Sequence, residues 1–289
     1  MTPTLLFRPA PDFVYGFPDA TRIASVDSRY QHIEVWDTAQ LGRLFTLDGR
    51  PMTSAGDEFI YHECMVHPTA LAHAAPLAAL VLGGGDGGAA KQLLKHPRIA
   101  RIVVAELDPD VVRLTREHLP DVHGGAWDDP RVELTIGDAA HFVEQSREQF
   151  DLVVFDLTPP DSPAAGLYTP SFYTALKRVM APGAALSMHL GAPYFHASRI
   201  AALLADLRAS FAVVRTMAAF VPLYGSLWLM ATASDTLDPA TLTVTQAKQR
   251  LHERRIDGLR WYDATLHSAL FAEPYAVRDK LTGVLPPLR

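Results

Sequence analysis

Residues 78–88 read Ala-Ala-Leu-Val-Leu-Gly-Gly-Gly-Asp-Gly-Gly, an apolar run followed by a glycine loop. The run over residues 78–82 does not alternate with polar residues, which is typical of a strand covered on both faces. Residues 88–95 are predicted to form the helix that follows the loop. Because glycines let a backbone approach a ligand closely, this strand, loop and helix predict a nucleotide-like ligand.

Outward from this loop, apolar strands and helices alternate as in a parallel α/β sheet. The other predicted strands lie at residues 102–106, 132–136, 152–156, 184–189, 213–217 and 227–231, with helices at 109–118 and 171–180. The first 75 or so residues instead show short alternating runs and turn pairs such as Asp48-Gly49, which predict strands. We therefore expect a small N-terminal β-strand domain over residues 1–75 and a Rossmann-like catalytic domain over residues 76–289.

Composition excludes several classes of protein. The 289 residues are 48% hydrophobic and 20% charged, which is ordinary globular composition. A net charge of −6 argues against a nucleic-acid partner, and no apolar stretch approaches the roughly 20 residues that cross a bilayer. The one cysteine, Cys64, cannot form an internal disulfide. Because no signal-peptide pattern opens the sequence, we expect a cytoplasmic protein.

Acidic residues follow several of the predicted strands. Gly83, Gly85 and Gly88 fit the spacing G-x-G-x-x-G, and Glu106 ends the next strand 18 residues beyond Gly88. An acid at that place usually accepts hydrogen bonds from ribose hydroxyls. Both dinucleotide oxidoreductases and adenosyl-sulfonium transferases use this arrangement.

Four carboxylates are expected to meet in one crevice, because ligands of open α/β sheets bind at the carboxyl ends of the strands. They are Asp86, Glu106, Asp138 and Asp156. Such a set favours a cationic or hydroxyl-rich ligand. For Asp138 alone, a role as the N-cap of the next helix is equally consistent with the sequence.

Other catalytic patterns are absent from the sequence. The twelve histidines include no H-E-x-x-H or comparable ligand set, so no metal site is predicted. No G-x-S-x-G motif occurs, and Gly88-Ala89-Ala90 does not supply the Gly-Lys-Ser/Thr of a P-loop. Hydrolase and nucleotide triphosphatase functions are therefore not predicted.

Further motifs accompany the glycine loop, and together they resemble the spermidine synthases, the polyamine aminopropyltransferases, over nearly the whole chain. Upstream they are Tyr30-Gln31-His32-Ile33-Glu34-Val35, Leu47-Asp48-Gly49 and Asp57-Glu58-Phe59-Ile60-Tyr61-His62-Glu63. Downstream they are Gly137-Asp138, Asp156-Leu157-Thr158-Pro159, Val221-Pro222-Leu223-Tyr224 and Trp261-Tyr262-Asp263-Ala264-Thr265-Leu266-His267. The resemblance implies a seven-stranded, methyltransferase-type sheet behind the small β-domain.

The resemblance also implies a reaction. An aminopropyl group would pass from decarboxylated S-adenosylmethionine, a co-substrate, to an amine such as putrescine or another polyamine, releasing methylthioadenosine. No permanently bound cofactor, nucleic-acid partner or membrane partner is expected. Family members are commonly dimers or tetramers, so a homodimer or homotetramer is expected.

Carried over by motif, the resemblance gives each residue a role. Glu106 would hold the ribose, Asp138 the adenine amino group, and Gln31 and Asp86 the adenosyl and aminopropyl parts. Asp156 would be the catalytic base and would contact the acceptor. The remaining donor-binding residues would be Gly83, Gly85, Gly88 and Gly137, and the remaining acceptor-binding residues Tyr61, His62, His189 and Tyr224.

The chemistry places a demand on Asp156. An alkyl ammonium has a pKa near 10.4 and an aspartate one near 3.9, so Asp156 is a poor base for it. Either the pocket lowers the pKa of the amine or desolvation raises that of Asp156, and we expect such a shift. Asp86 beside the donor's ammonium would favour the decarboxylated donor, because ordinary S-adenosylmethionine brings a carboxylate to the same place.

The sequence departs from the family pattern on the acceptor side. Pro159 replaces the second acid that usually follows the catalytic one by three residues, and His189 replaces a common glutamine. Asp161 could substitute for the missing acid or be a solvated loop residue. The segment after Tyr224 lacks the usual second proline. The identity of the acceptor amine therefore stays open.

Three other functions remain possible on the same sequence. A methyl- or aminocarboxypropyltransferase using S-adenosylmethionine is favoured by Asp156-Leu157-Thr158-Pro159-Pro160, which is similar to the acid-Pro-Pro segment of amino-methyltransferases. An NAD-dependent oxidoreductase is favoured only by the G-x-G-x-x-G spacing of the glycine loop. A non-catalytic binding protein is disfavoured by the intact Asp156.

Overall fold

A computed structural model describes residues 4–272 and 275–281. Its N-terminal part is made of strands: β1 (Leu5–Ala10), β2 (Phe13–Phe17), β3 (Thr21–Asp27), β4 (His32–Thr38), β5 (Gly42–Leu47) and β6 (Arg50–Ser54). Strands β1 and β2 form an antiparallel pair, and β3 to β6 form a four-stranded antiparallel sheet in chain order. The predicted small β-domain is confirmed.

The larger part alternates helices and strands. Its elements are α1 (Glu58–Ala72), β7 (Ala78–Gly83), α2 (Gly88–Leu94), β8 (Arg101–Glu106), α3 (Pro109–His118), α4 (Pro120–His123), β9 (Val132–Ile136), α5 (Ala139–Gln145), β10 (Phe150–Asp156), α6 (Pro170–Lys177), β11 (Met180–Gly191), α7 (Pro193–Ser210), β12 (Val213–Val221), β13 (Ser226–Ser234), α8 (Val244–Glu253), α9 (Ala264–Leu270) and α10 (Tyr275–Lys280). The seven predicted strands of this part are all present.

The large sheet has the strand order β12-β13-β11-β10-β7-β8-β9. Strands β7 to β11 pair in parallel, whereas β13 runs antiparallel to both β11 and β12. The predicted seven-stranded sheet is therefore confirmed, and it is mixed at this edge. The short connection Pro222–Tyr224 between β12 and β13 allows only an antiparallel pair, since parallel strands need a long crossover.

Helix α1 is the element that the sequence did not predict, because residues 58–72 were expected to belong to the strand-rich part. It packs against α2 and against β10, β11 and β12 of the large sheet. Thirteen of its fifteen residues are buried, so its sequence shows no polar stripe with a helical period. The domain boundary at residue 75 stays a prediction.

The boundary between α6 and β11 also differs from expectation. Helix α6 ends at Lys177, and Met180, expected to end that helix, instead begins β11. The charged stretch after Thr243 is helical as expected, but the Pro-rich end, residues 282–289, lies outside the described residues. Within the described part of the chain, no helix is long and apolar enough to cross a membrane.

Candidate active site

A cavity of about 480 Å³ lies where β7, β8 and β10 end, and the N-terminal strands close its other side. The register of the sheet brings the end of β10 beside the end of β7, with Asp156 opposite Gly83. Ten of the predicted site residues line it: Gln31, Tyr61, Gly83, Gly85, Asp86, Glu106, Asp138, Asp156, His189 and Tyr224. Three others, His62, Gly88 and Gly137, are not among its lining residues.

The glycine loop is packed too closely for side chains. Gly83 has a φ of +75°, and a Cβ there would lie 2.4 Å from the carbonyl oxygen of Asp156. A Cβ on Gly85 would lie 2.8 Å from Oε2 of Glu106. A Cβ on Gly88 would lie 2.0 Å from the ring of His62. These glycines thus let the loop approach the acids and the histidine around it.

Glu106 is held by backbone amides. Its carboxylate accepts hydrogen bonds from the amides of Gly85 at 3.1 Å and Asp108 at 2.9 Å. Burial raises the pKa of Glu106 to about 7, and the two amide hydrogen bonds offset part of that effect. Asp108, which the sequence reasoning missed, accepts a hydrogen bond from Gln31 at 3.0 Å. The signal for Asp108 was its position just before Pro109, where it caps helix α3.

Asp138 caps helix α5. Its side chain accepts a hydrogen bond from the amide of Ala140 at 2.8 Å, and it is exposed at the rim of the cavity. The capping alternative is therefore confirmed, while a contact with a ligand stays a prediction. Its neighbours Ala139 and Ala140 also line the cavity.

His62 lies behind the cavity wall, with its side chain 1% exposed. Its Nδ1 is 2.7 Å from Oε2 of Glu58, and its Nε2 is 3.3 Å from Oδ2 of Asp156 and 3.7 Å from Oδ1 of Asp86. Burial alone would lower the pKa of His62, but these carboxylates raise it to about 10. His62 is therefore a buried imidazolium that donates from both ring nitrogens.

Glu58 connects this imidazolium to a lysine. Its other carboxylate oxygen accepts a hydrogen bond from Nζ of Lys91 at 2.6 Å. Burial would raise the pKa of Glu58, but the hydrogen bonds from His62 and Lys91 hold it below its usual range. Lys91, Glu58, His62 and Asp156 thus form a continuous chain of alternating charges.

The pKa values of the two acids beside His62 shift in opposite directions. Burial acts to raise the pKa of both, but the charge of His62 and the hydrogen bond with His189 hold the pKa of Asp156 below its usual range. The pKa of Asp86 rises to about 6 through burial, with Asp156 adding to the rise and His62 opposing it. The idea that desolvation raises the pKa of Asp156 is therefore wrong for the free protein, because the cation beneath it outweighs burial.

His62, Asp86 and Asp156 bring one possible metal-ligand atom each within 4.8 Å of one another. Both nitrogens of His62 already face carboxylates, and its raised pKa leaves no lone pair for a metal. The geometry of these three residues is that of an ion pair network. That no metal is needed stays a prediction.

The residues predicted to bind the acceptor include two aromatic rings that line the cavity, Tyr61 and Tyr224. The hydroxyl of Tyr61 donates to Oγ1 of Thr53 at 2.7 Å, and that of Tyr224 donates to the carbonyl of Met52 at 2.7 Å. The rings of Tyr61 and Tyr224 are 5.7 Å apart. Both hydroxyls thus point away into the small β-domain and leave ring faces as a wall.

A tryptophan sets the tautomer of His189. The indole N–H of Trp228 can only donate, and it donates to Nδ1 of His189 at 2.9 Å. The Nε2 of His189 therefore carries the proton, and it faces Oδ1 of Asp156 at 3.5 Å. This contact of Trp228 depends on the antiparallel pairing of β13 with β11.

Asp161, two residues beyond Pro159, lines the cavity and is paired with an arginine. Asp161 accepts two hydrogen bonds from Arg50, at 2.8 Å and 3.0 Å, and its side chain is 57% exposed. Both expectations for Asp161, a substitute for the missing acid and a solvated loop residue, stay predictions. Pro159 lines the cavity where the acid was expected.

Known proteins resemble this chain in sequence. Residues 58–245 match a family model described as the spermine/spermidine synthase domain. A protein of Nitrosomonas europaea named polyamine aminopropyltransferase is 45% identical over 279 residues, covering 96% of this chain and 86% of the relative. Another of that name from Thermoanaerobacter is 37% identical, covering 86% of this chain and 88% of the relative.

Solved structures resemble the fold. A crystal structure described as spermidine synthase in complex with the transition-state analogue AdoDATO matches with a TM-score of 0.84 and 29% identity, covering 90% of this chain and 88% of that one. Spermidine synthase from Thermotoga maritima matches with a TM-score of 0.82 and 29% identity, covering 90% and 87% of the two chains. These similarities include both the small β-domain and the large sheet.

Proposed function

The chain belongs to the spermine/spermidine synthase family and is an aminopropyltransferase, and from this premise we propose how its own residues act. The donor would be decarboxylated S-adenosylmethionine, the acceptor a small amine, and the by-product methylthioadenosine. The observation that carries the proposal is the meeting of Asp86, Glu106 and Asp156 with the glycine loop at one cavity. A cationic sulfonium nucleoside fits this set of acids.

The donor would lie along the strand ends. Glu106 would accept hydrogen bonds from the ribose hydroxyls, since its carboxylate faces the cavity beside Gly85. Asp86, with a pKa of about 6, is ionised at neutral pH and would attract the aminopropyl ammonium. The same charge would repel the carboxylate of ordinary S-adenosylmethionine, which supports the decarboxylated donor.

The acceptor nitrogen would approach between the aromatic wall and Asp156. Attack by its lone pair forms the nitrogen–carbon bond while the carbon–sulfur pair returns to sulfur, which leaves as the neutral thioether. The nitrogen loses one proton, which Asp156 accepts and passes to solvent. Because Asp156 has a low pKa beside His62, it orients the amine and receives the proton only transiently.

The positive charge of His62 would lower the pKa of the bound amine instead of raising that of Asp156. A buried cation 3.3 Å from Oδ2 of Asp156 disfavours a second cation at the same carboxylate. The pKa of the bound amine would therefore fall, so more of it would be present as the reactive free base. This is the first of the two shifts expected from the sequence.

The proposed donor is tested by incubating purified protein with putrescine and either donor. Decarboxylated S-adenosylmethionine should give methylthioadenosine and an amine heavier by one aminopropyl group. Release of S-adenosylhomocysteine from ordinary S-adenosylmethionine would instead support a methyltransferase. Methylthioadenosine from ordinary S-adenosylmethionine, with a heavier carboxylated product, would support an aminocarboxypropyltransferase.

Three expectations about the cell remain predictions. A homodimer or homotetramer is supported by exposed apolar side chains in the small β-domain, including Leu6 at 60% and Val14 at 42% exposure. The other two predictions are the number of subunits and the cytoplasmic location. Size-exclusion chromatography with light scattering would determine the first.

A further inference from the structure

The cavity has a basic end opposite the strand-end acids. Three cations line it there, Arg8, Arg50 and Arg199, together with His196. The one carboxylate among the described residues in contact with these cations is Asp161, which both Arg50 and Arg199 face. Its bidentate pair with Arg50 leaves it at 3.7 Å from Nη1 of Arg199. The positive charges at this end therefore outnumber the negative one.

Arg199 is the least exposed of these three arginines. Its Nε is buried and has no hydrogen-bond partner among the described residues. Its side chain is 22% exposed, so water satisfies only part of the guanidinium. Burial lowers the pKa of Arg199, with Asp161 opposing that effect. A buried guanidinium with an unused donor is complementary to an anion that would reach it through the cavity.

A second unpartnered nitrogen lies close by. Nδ1 of His196 is buried without a hydrogen-bond partner among the described residues. Gly191 marks the place where the two side chains meet: a Cβ there would lie 2.8 Å from Nη2 of Arg199 and 3.3 Å from Nδ1 of His196. Gly191 ends β11, two residues after His189, so this place adjoins the acceptor side of Asp156.

We infer that this basic end binds an anionic group, and that the acceptor is an amine with a carboxylate at its far end. The inference rests on the proposed aminopropyl transfer and names the substrate class of that same site. A diamine would bring its second ammonium toward Arg50 and Arg199, where the one facing carboxylate, Asp161, is already paired with Arg50. An aminoalkanoate would instead place its amine at Asp156 and its carboxylate against Arg199.

The test compares acceptors that share a primary amine and differ at the far end. Aminoalkanoates of three to six carbons, butylamine and putrescine are each supplied with decarboxylated donor, and kcat/KM is measured from methylthioadenosine release. The best aminoalkanoate should exceed both butylamine and putrescine by at least about tenfold. A smaller margin, or a preference for putrescine, would overturn the inference.

Variants separate a charge effect from a folding effect. Arg199→Gln should lower the ratio of kcat/KM for the aminoalkanoate over butylamine by about tenfold, and Arg199→Lys should restore part of it. The control Arg147→Gln removes an exposed arginine that does not line the cavity and should leave the ratio unchanged. An unchanged ratio in Arg199→Gln would contradict the inference.

Failure of the proposed function has a different signature. If no amine in the panel gives methylthioadenosine, aminopropyl transfer is wrong, and calorimetric titration with 4-aminobutyrate then decides the anion site alone. Binding to the native protein that is lost in Arg199→Gln would support the basic end as a carboxylate site. No binding to the native protein, or equal binding to both proteins, would overturn it.

Discussion

Nε2 of His62 lies 3.3 Å from Oδ2 of Asp156, although 94 residues separate them in the chain. The pair joins α1, the helix packed on the sheet, to the end of β10 at the cavity. It makes the candidate base a weak acceptor of protons and the histidine a permanent cation at neutral pH. Both consequences can be measured.

Glu58→Gln should lower the pKa of His62 from about 10, because it removes the carboxylate that Nδ1 contacts. The change is followed by NMR titration of the His62 ring, with exposed Glu117→Gln as the control. In stability, the raised pKa of His62 contributes fully below its unfolded value near 6.5 and is lost as pH rises through about 10. An unshifted midpoint in Glu58→Gln would contradict the charge chain.

Gly88→Ala should displace His62 and reduce activity. The added Cβ would lie 2.0 Å from the ring, and overpacking of this kind typically costs about 1–3 kcal/mol. Gly166→Ala is the matched control for thermal unfolding, since its Cβ would meet no atom within 4 Å, although Gly166 also lines the cavity. Thermal unfolding and methylthioadenosine release report both effects, and equal behaviour of the two variants would show that His62 can move freely.

Pro159→Asp should raise the use of putrescine relative to butylamine by several-fold. The substitution returns an acid to the cavity wall, where it could pair with a second ammonium. Pro97→Asp adds the same charge at an exposed position outside the cavity and serves as the control. If Pro159→Asp leaves the putrescine-to-butylamine ratio unchanged, Pro159 does not determine how the far end of the acceptor is held.

Acid should destabilise the protein through a buried pair of histidines. Nδ1 of His67 lies 3.0 Å from Nε2 of His96, and burial lowers the pKa of His67 to about 3 and that of His96 well below its usual range. The unfolded chain binds these protons below about pH 6.5, whereas the folded chain does not. Each histidine therefore lowers the free energy of unfolding by about 1.4 kcal/mol for every pH unit below that value.

Urea unfolding between pH 7 and pH 4.5 measures this dependence. His67→Gln should reduce the slope of the free energy of unfolding against pH by the contribution of one histidine. His141→Gln, at an exposed position, should leave that slope unchanged. A slope that is the same in both variants and the native protein would show that His67 does not stay neutral in the folded state.

Much of the site could be predicted because its signals are local. The glycine loop and Glu106 follow directly from strand, loop and spacing, and the sheet then brings Asp156 beside Gly83. Helix α1 was missed because burial on all sides erases the helical period in its sequence. The roles of Trp228 and Arg199 depend on long-range packing, which no local pattern specifies.

The direction of the pKa shift of Asp156 also depends on a long-range contact. Burial of Asp156 was foreseeable from its place at the end of an apolar strand, and burial alone raises a carboxyl pKa. The cation that reverses this effect comes from α1, and its contact with Asp156 exists only in the folded chain. Residue type and strand position therefore left two pKa shifts open, and only the folded contact favours the one on the amine.

The most direct measurement of the central claim is turnover by Asp156→Asn compared with the native protein, with donor affinity measured on the same samples. The account predicts that methylthioadenosine release falls by at least about a hundredfold. Calorimetric affinity for decarboxylated S-adenosylmethionine should stay nearly the same, which also shows that the variant is folded. Native-like turnover by Asp156→Asn would contradict the claim that this carboxylate receives the proton of the amine.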